Sequence, residues 1–235
     1  MNVIGRINTG NFGFKRIAPL LLAIFVCKSV ANCQPMTNIP ASGVAVYQWV
    51  EQQFAKGKVP PFSFVYGGKS SDNFIRNWPY SVEKIKSTDP NVEESVYTYS
   101  DKQSGLVVKC FVTCFKDFPS VEWMLRFTNS SNRNSPIITQ ARTIDYSFVS
   151  DRRGPFILYY AEGSSARIND FEPRTDDLQI GKSIYMTPIG GRSSGDGGFP
   201  FFNIETPGNS GIMVAIGWTG KWYADVHSWM KNRYR

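Results

Sequence analysis

One stretch near the start of the chain has its apolar residues at helical spacing. Within residues 43–56 the apolar side chains recur every three or four positions, so they would share one helix face. These residues are Val46, Tyr47, Val50 and Phe54. Ser42 directly precedes the run, and serine is a favoured helix N-cap. The pattern therefore predicts one short helix that packs its apolar face on the rest of the fold.

From Pro60 onward the apolar residues alternate with polar ones, which is typical of half-buried strands. Residues 121–128 show the alternation best, with Val121, Trp123, Leu125 and Phe127 on one side. The strands predicted this way are 62–66, 94–99, 106–115, 121–127, 137–149, 156–160, 182–186, 199–204 and 212–218. Several approach ten residues in length. Long antiparallel strands in a chain of 235 residues predict an all-β fold, a large antiparallel β-sandwich.

The N-terminus has the order of a secretory signal peptide. Lys15 and Arg16 precede a run of about ten mostly apolar residues, which is too short to span a bilayer. Ser29, Val30 and Ala31 then supply the small residues of a cleavage site. We expect residues 1–31 to be removed and the protein to be secreted or periplasmic. The alternative is a lipoprotein anchored through Cys33.

The basic character of the chain is concentrated in that segment. The sequence has 26 basic and 19 acidic residues, a formal charge of +7. Without the four basic residues of positions 1–31, the balance is 22 basic to 19 acidic. We find no stripe of lysine and arginine, so nucleic acid is not an expected partner. No transmembrane segment is predicted either.

Cysteine and histidine are too sparse for a disulfide framework or a zinc site. Cys110 and Cys114 lie on one predicted strand, where four residues span about 13 Å. A disulfide needs Cα atoms within about 7 Å. We expect both cysteines to be small buried residues. With His227 as the single histidine and no CxxC pair, we expect no metal and no cofactor.

Five blocks of sequence stand out between residues 45 and 226. They are residues 61–70 (PFSFVYGGKS), 116–123 (KDFPSVEW), 190–194 (GGRSS), 199–205 (FPFFNIE) and 215–222 (AIGWTGKW). In order and spacing they resemble the N-terminal domain of the α-galactosidase-like enzymes of glycoside hydrolase family 36 and their clan D relatives. The resemblance implies a β-supersandwich, the fold shared with galactose mutarotases.

In complete enzymes of that family the sandwich precedes a catalytic (β/α)8 barrel, whose strands supply two aspartates. Retaining hydrolysis needs two carboxylates about 5 Å apart, and a barrel needs about 250 residues. The resemblance therefore leads us to expect a non-catalytic fragment, inactive alone, with a galactoside-type glycan and the barrel domain as partners. The expected domains are a signal peptide (1–31), a linker and helix (32–59), a β-sandwich (60–226) and a basic tail (227–235).

The loop at residues 191–202 joins glycines to polar and aromatic side chains. Aromatic rings and planar polar groups are suited to holding sugars. We expect a domain interface or sugar-pocket edge at Arg192, Asp196, Phe199, Phe201, Trp218 and Trp222. The alternative is that the tryptophans are core residues and the loop a connector. None of the carboxylates is expected to be catalytic.

Two other functions stay open. One is a stand-alone, lectin-like carbohydrate-binding module, which predicts sugar affinity without turnover. The other is a mutarotase-like enzyme, which would need an acid/base pair. His227, beyond the last matching block, is a poor candidate for that pair.

The order of charged, apolar and small residues predicts cleavage after Ala31. Mass spectrometry of the exported protein should show Asn32 as the first residue. A diacylglyceryl group on Cys33, or an exported protein that begins at Met1, would contradict this expectation.

Overall fold

A computed structural model of the chain describes residues 4–11, 42–150, 152–208 and 210–229. Most of the predicted signal peptide, the linker that follows it and the end of the predicted tail lie outside these residues. The described part contains one α-helix and two short 3-10 helices, and its other regular elements are strands. The all-β prediction is therefore confirmed.

The elements follow one another along the chain with short connections. The helix is α1 (Gly43–Gln53), and the 3-10 helices span Ser71–Asn73 and Ile75–Asn77. The strands are β1 (Ile4–Asn11), β2 (Ser63–Tyr66), β3 (Lys69–Ser70), β4 (Tyr80–Ile85), β5 (Val92–Ser100), β6 (Leu106–Phe115), β7 (Ser120–Asn129), β8 (Ile138–Arg142), β9 (Ile144–Ser150), β10 (Phe156–Ala161), β11 (Pro173–Leu178), β12 (Ser183–Met186), β13 (Phe201–Thr206), β14 (Ser210–Ala215) and β15 (Tyr223–Ser228).

These strands form four sheets, which pack in two pairs. The orders are β4-β5-β6-β7 and β3-β2-β8 in the first pair, and β11-β10-β13-β14 and β12-β15-β1-β9 in the second. Neighbouring strands are antiparallel, except that β1 is parallel to both β9 and β15. Each pair of sheets encloses its own hydrophobic core. The arrangement is sandwich-like, with two cores where the sequence pattern led us to expect one sandwich.

The first core is built on β6, which pairs along its full length with β5 and β7. Every second residue of β6 is buried, as period-two alternation predicts. These residues are Leu106, Val108, Cys110, Val112 and Cys114. Both cysteines are free thiols, and burial raises their pKa. The prediction that they are small buried residues is confirmed.

Helix α1 covers this core from one side. The Ser42 hydroxyl accepts a hydrogen bond from the Ala45 N–H at 3.2 Å, so the predicted N-cap is confirmed. The helix ends at Gln53, three residues before the predicted end, and Phe54 is its C-cap. The Phe54 side chain turns into the core and stacks on Tyr97, with ring centroids 4.7 Å apart.

Trp123 on β7 joins the helix to the sheet. Its ring centroid lies 6.2 Å from those of both Trp49 and Phe54. Its indole N–H donates to the Thr143 carbonyl at 2.6 Å. Trp123 faces the core as the alternation predicts, but it is half-buried rather than fully buried, because it lies near the margin where α1 meets the sheet.

The second core lies between the sheets formed by β10 to β15. Its largest side chain is Trp222, which is fully buried. Strand β13 contributes Phe202 and Ile204, and β15 contributes Ala224 and Val226. These residues alternate with outward-facing ones. Strand β15 runs to Ser228, two residues into the predicted tail.

The predicted strand at 137–149 is two strands, because its halves join different sheets. β8 pairs with β2, whereas β9 pairs with β1. The backbone breaks at Thr143, and Gln140 has a left-handed φ of 48°. The break carries the chain from the first core to the second. Strands β1, β3, β4, β11 and β15 were not predicted at all.

Strand β1 lies within the segment predicted to be a signal peptide. It fills the gap between β9 and β15, with residues 4–9 in register with β15 and residues 5–11 with β9. Cleavage after Ala31 would remove β1 and leave two facing sheet edges without partners. Unpaired edges attract other strands. Signal cleavage stays a prediction.

Replacing Trp123 by alanine should lower the free energy of unfolding by about 3 kcal/mol, because it removes a large aromatic packed against two other rings. Met124 is the matched control, since it neighbours Trp123 but is 52% exposed on the other face. Met124→Ala should cost less than about 0.5 kcal/mol. Denaturant titration measures both variants, and equal losses would contradict the assigned faces.

Candidate functional site

The loop between β12 and β13 is fastened to the second core by Trp222. The indole N–H of Trp222 donates to the Ser193 carbonyl at 2.7 Å, and the Trp222 carbonyl accepts from the Thr187 hydroxyl at 2.6 Å. Within the loop the Ile189 N–H donates to the Asp196 carbonyl at 2.7 Å. A buried indole needs a partner for its N–H. Burial of Trp222 therefore fixes the path of the loop above it.

Trp222 is consequently a core residue and not a ligand contact. It is 0% exposed, so no sugar or neighbouring domain reaches its ring. The alternative expectation, that the tryptophans are core residues, describes Trp222, because its large ring fills the apolar interior. Trp218, the other candidate tryptophan, is 36% exposed.

Three glycines of this loop, Gly195, Gly197 and Gly198, are closely packed. A Cβ on Gly195 would collide with the Ile189 carbonyl, and one on Gly198 would lie 3.1 Å from the Trp222 ring. Gly195 also forms a bridge with Ser164. Neither interpretation of the sequence, a connector or a ligand-binding loop, predicted that the loop is held by so many contacts.

Asp170 fastens the neighbouring turn against the same loop. Its carboxylate accepts from the Ser164 hydroxyl at 2.6 Å and from the Ser165 and Ala166 N–H groups at 2.8 and 3.0 Å. The Ser164 N–H in turn donates to the Ser194 carbonyl at 2.7 Å. Hydrogen bonds to the ionised carboxylate, first of all from Ser164, lower the pKa of Asp170.

An aromatic cluster lies where the loop enters β13. The ring of Phe199 is 5.4 Å from that of Phe171 and 5.5 Å from that of Phe201. Phe171 and Phe201 are 46% and 49% exposed, and Ile189 in the fastened loop is 65% exposed. The structure thus brings together two of the predicted aromatic residues and adds Phe171, which sequence reasoning missed.

The two charged candidates remain on the same loop. Arg192 is exposed, and Asp196 is partly buried. The hydrogen bond from the Ile189 N–H that closes the loop is accepted by the main-chain carbonyl of Asp196, not by its carboxylate. Both residues therefore lie on the loop that leads to the aromatic cluster.

Beyond Phe201, the outer face of the sheet carries a polar concavity. Its volume is about 330 Å³, and Asn203, Glu205, Ser210 and Gly211 line it. The Tyr159 hydroxyl, on the adjacent β10, donates to the Glu205 carboxylate at 2.7 Å. This hydrogen bond raises the pKa of Tyr159. The polar members of β13 alternate with buried Phe202 and Ile204, and that alternation was the signal in the sequence that could have revealed them.

Several other carboxylates are engaged in ion pairs that hold neighbouring strands. Asp145 pairs with Arg142 at 3.5 Å, Glu162 with Arg174 at 2.8 Å, and Asp176 with Lys182 at 2.7 Å. Among the residues that the structure describes, no cluster of three or more metal-ligating side chains occurs. No helix in that part of the chain has the length and apolarity to cross a bilayer.

The chain is similar to solved structures of family 36 α-galactosidases. One is the α-galactosidase AgaA of Geobacillus stearothermophilus, with 14% sequence identity and a TM-score of 0.48. Variants of AgaA in complex with raffinose and with stachyose match with TM-scores of 0.47 and 0.48. Each match covers 72% of this chain and 25% of the other.

The chain therefore spans about a quarter of the length of those enzymes. These structures belong to the family that the five sequence blocks resemble. No protein-family model matches the chain. No curated protein matches it either.

The hydrogen bonds to Asp170 predict an acid-sensitive turn. A carboxylate whose pKa is lowered on folding adds stability above its unfolded pKa, about 4, and this is lost as pH falls towards the folded pKa. Asp170→Asn should therefore reduce the drop in melting temperature between about pH 7 and about pH 3. The matched control is Asp117→Asn, at an exposed position. An unchanged drop in the Asp170 variant would contradict the assignment.

Proposed function

We propose that the chain is the N-terminal, non-catalytic domain of a secreted α-galactosidase-like glycoside hydrolase. In this function it supports carbohydrate binding and packs on a catalytic (β/α)8 barrel supplied by the rest of the enzyme. The proposal starts from the five sequence blocks that resemble this domain. Three of these blocks lie in the region just described. Residues 190–194 are in the loop between β12 and β13, residues 199–205 lead into β13, and residues 215–222 run from the end of β14 to Trp222.

The observation that carries the barrel-docking role is the exposed apolar surface around the fastened loop. Phe171, Ile189 and Phe201 are each about half exposed or more, and Ile168 in the adjoining turn is fully exposed. Exposed aromatic residues in contact with one another, as Phe171 and Phe201 are through Phe199, mark contact surfaces on soluble proteins. Because Trp222 and Asp170 hold the loop in place, this surface is presented in one shape, which favours a rigid partner such as a second domain.

The absence of a catalytic role rests on the chemistry of retaining hydrolysis. That reaction places a nucleophilic carboxylate and a proton-donating carboxylate about 5 Å apart across the glycosidic bond. In the enzymes that the chain resembles, both come from barrel strands. The carboxylates of Asp145, Glu162 and Asp170 are each committed to a structural partner.

A lectin-like module that binds carbohydrate alone is the second candidate. The polar concavity beside Phe201 favours it, since the concavity lies on an outer sheet face and is open without any partner domain. The two candidates differ in one measurable respect. Both would hold sugar on the sandwich, but only a supporting domain also binds a catalytic barrel through the apolar surface around the loop.

The purified chain should not hydrolyse an aryl α-galactoside, because in the enzymes that it resembles both carboxylates come from the barrel. The assay needs protein freed of host galactosidase, and a host extract without the chain is the control. Turnover that disappears in Glu205→Gln or Asp196→Asn would show an active site on the sandwich and overturn the proposal.

A further inference from the structure

The open concavity between β13 and β14 is lined mostly by polar residues, and Tyr159 on β10 reaches its Glu205. Strand pairing places Tyr159 opposite Asn203, and Gly211 opposite Glu205. A carboxylate accepts hydrogen bonds, a side-chain amide both donates and accepts, and a hydroxyl does either. Neighbouring hydroxyls of a pyranose ring need such a mixture of donors and acceptors at short range.

Gly211 keeps the concavity open. A Cβ at this position would lie 3.1 Å from the Ile204 carbonyl and 3.2 Å from the Asn203 side-chain oxygen. Any larger residue would therefore fill the space beside Asn203 and Glu205. The volume of about 330 Å³ is at the low end of the range for small-molecule sites, about 300–1,000 Å³. It suits one sugar ring rather than a chain of several.

The apolar neighbours complete the arrangement. Phe201 precedes Asn203 by two positions on the same outer face and is 49% exposed. Met213 pairs with Asn203 across the sheet and is 75% exposed. Aromatic and apolar side chains beside convergent polar groups are typical of ligand pockets.

The charge of this face selects against acidic ligands. Glu205 and the exposed Asp177 both pair with Ile157, one on each side, so two carboxylates flank the outer face of β10. A uronic or sialic acid would bring a third negative charge to this surface, whereas a neutral sugar would not.

We propose that the concavity lined by Asn203, Glu205, Ser210 and Gly211 binds one neutral pyranoside unit. The inference rests on the proposed carbohydrate function and gives it a place on the chain. Tyr159 is a positioning residue, because its hydroxyl holds the Glu205 carboxylate at 2.7 Å. The site lies apart from the apolar surface assigned to barrel docking and borders it at Phe201.

The test is an NMR titration of the full chain with raffinose at millimolar concentrations. The amide signals of Asn203, Ser210 and Gly211 should shift, with a dissociation constant on the order of 1 mM. Glu205→Ala should weaken binding at least about tenfold, as loss of a charged hydrogen-bond acceptor does. Gly211→Ala, which fills the space, should weaken it independently of charge.

The matched control is Glu83→Ala, which removes another exposed glutamate from a strand of the other core. It should leave raffinose binding unchanged, and melting temperatures of all variants establish that they are folded. Galacturonate should bind at least about tenfold more weakly than raffinose, in keeping with an energy difference of about 1.4 kcal/mol. Glu205→Gln should narrow that difference, because it removes one of the two charges.

Shifts confined to residues 190–199 would overturn this site while leaving the proposed carbohydrate function in place. No shift at any position would overturn both the site and carbohydrate binding by the chain alone. The absence of galactosidase turnover is measured separately, so a failure of the non-catalytic role is distinguished from a failure of this site. Equal binding of galacturonate and raffinose would overturn the selection for neutral sugars.

Discussion

Alternation of side chains along the strands is the constraint on which the rest of this structure depends. A strand that buries every second residue leaves the intervening residues outside, and a shift of one position would exchange the two sets. On β13, burial of Phe202 and Ile204 obliges Asn203 and Glu205 to face outward. The proposed sugar site is thus the outer side of a strand whose inner side holds the second core together.

The same core also determines the surface proposed for domain docking. Trp222 is buried completely, and its indole N–H holds the Ser193 carbonyl. Asp170 holds the turn that pairs with this loop. Phe199 can then contact both Phe171 and Phe201. Removing the buried indole would therefore disturb the apolar surface without touching any residue on it.

The two proposed surfaces meet at Phe201, at the start of β13. A partner domain on the apolar side would lie next to a sugar held on the polar side. In this arrangement a supporting domain and a lectin-like module differ in what covers the apolar side, rather than in the sugar site. The strand β1, parallel between β9 and β15, closes the opposite sheet of the same core.

The sequence by itself determined those elements that depend only on residues close together in the chain. The limits of β6 and the N-cap of α1 follow from alternation and from one serine, and both were predicted correctly. Strand β11 (PRTDDL) was missed because it is an exposed edge strand with little apolar alternation. The break at Thr143 was missed because it depends on which sheet each half joins.

Tertiary structure decided the rest. The sequence left open whether Trp222 lies in the core or at a surface, since burial depends on the opposite sheet. Tyr159 and Glu205 are 46 residues apart, and only the pairing of β10 with β13 brings them to 2.7 Å. Strand register and sheet packing join distant parts of the chain. The local alternation of apolar residues therefore does not predict which strands pair or which sheets pack together.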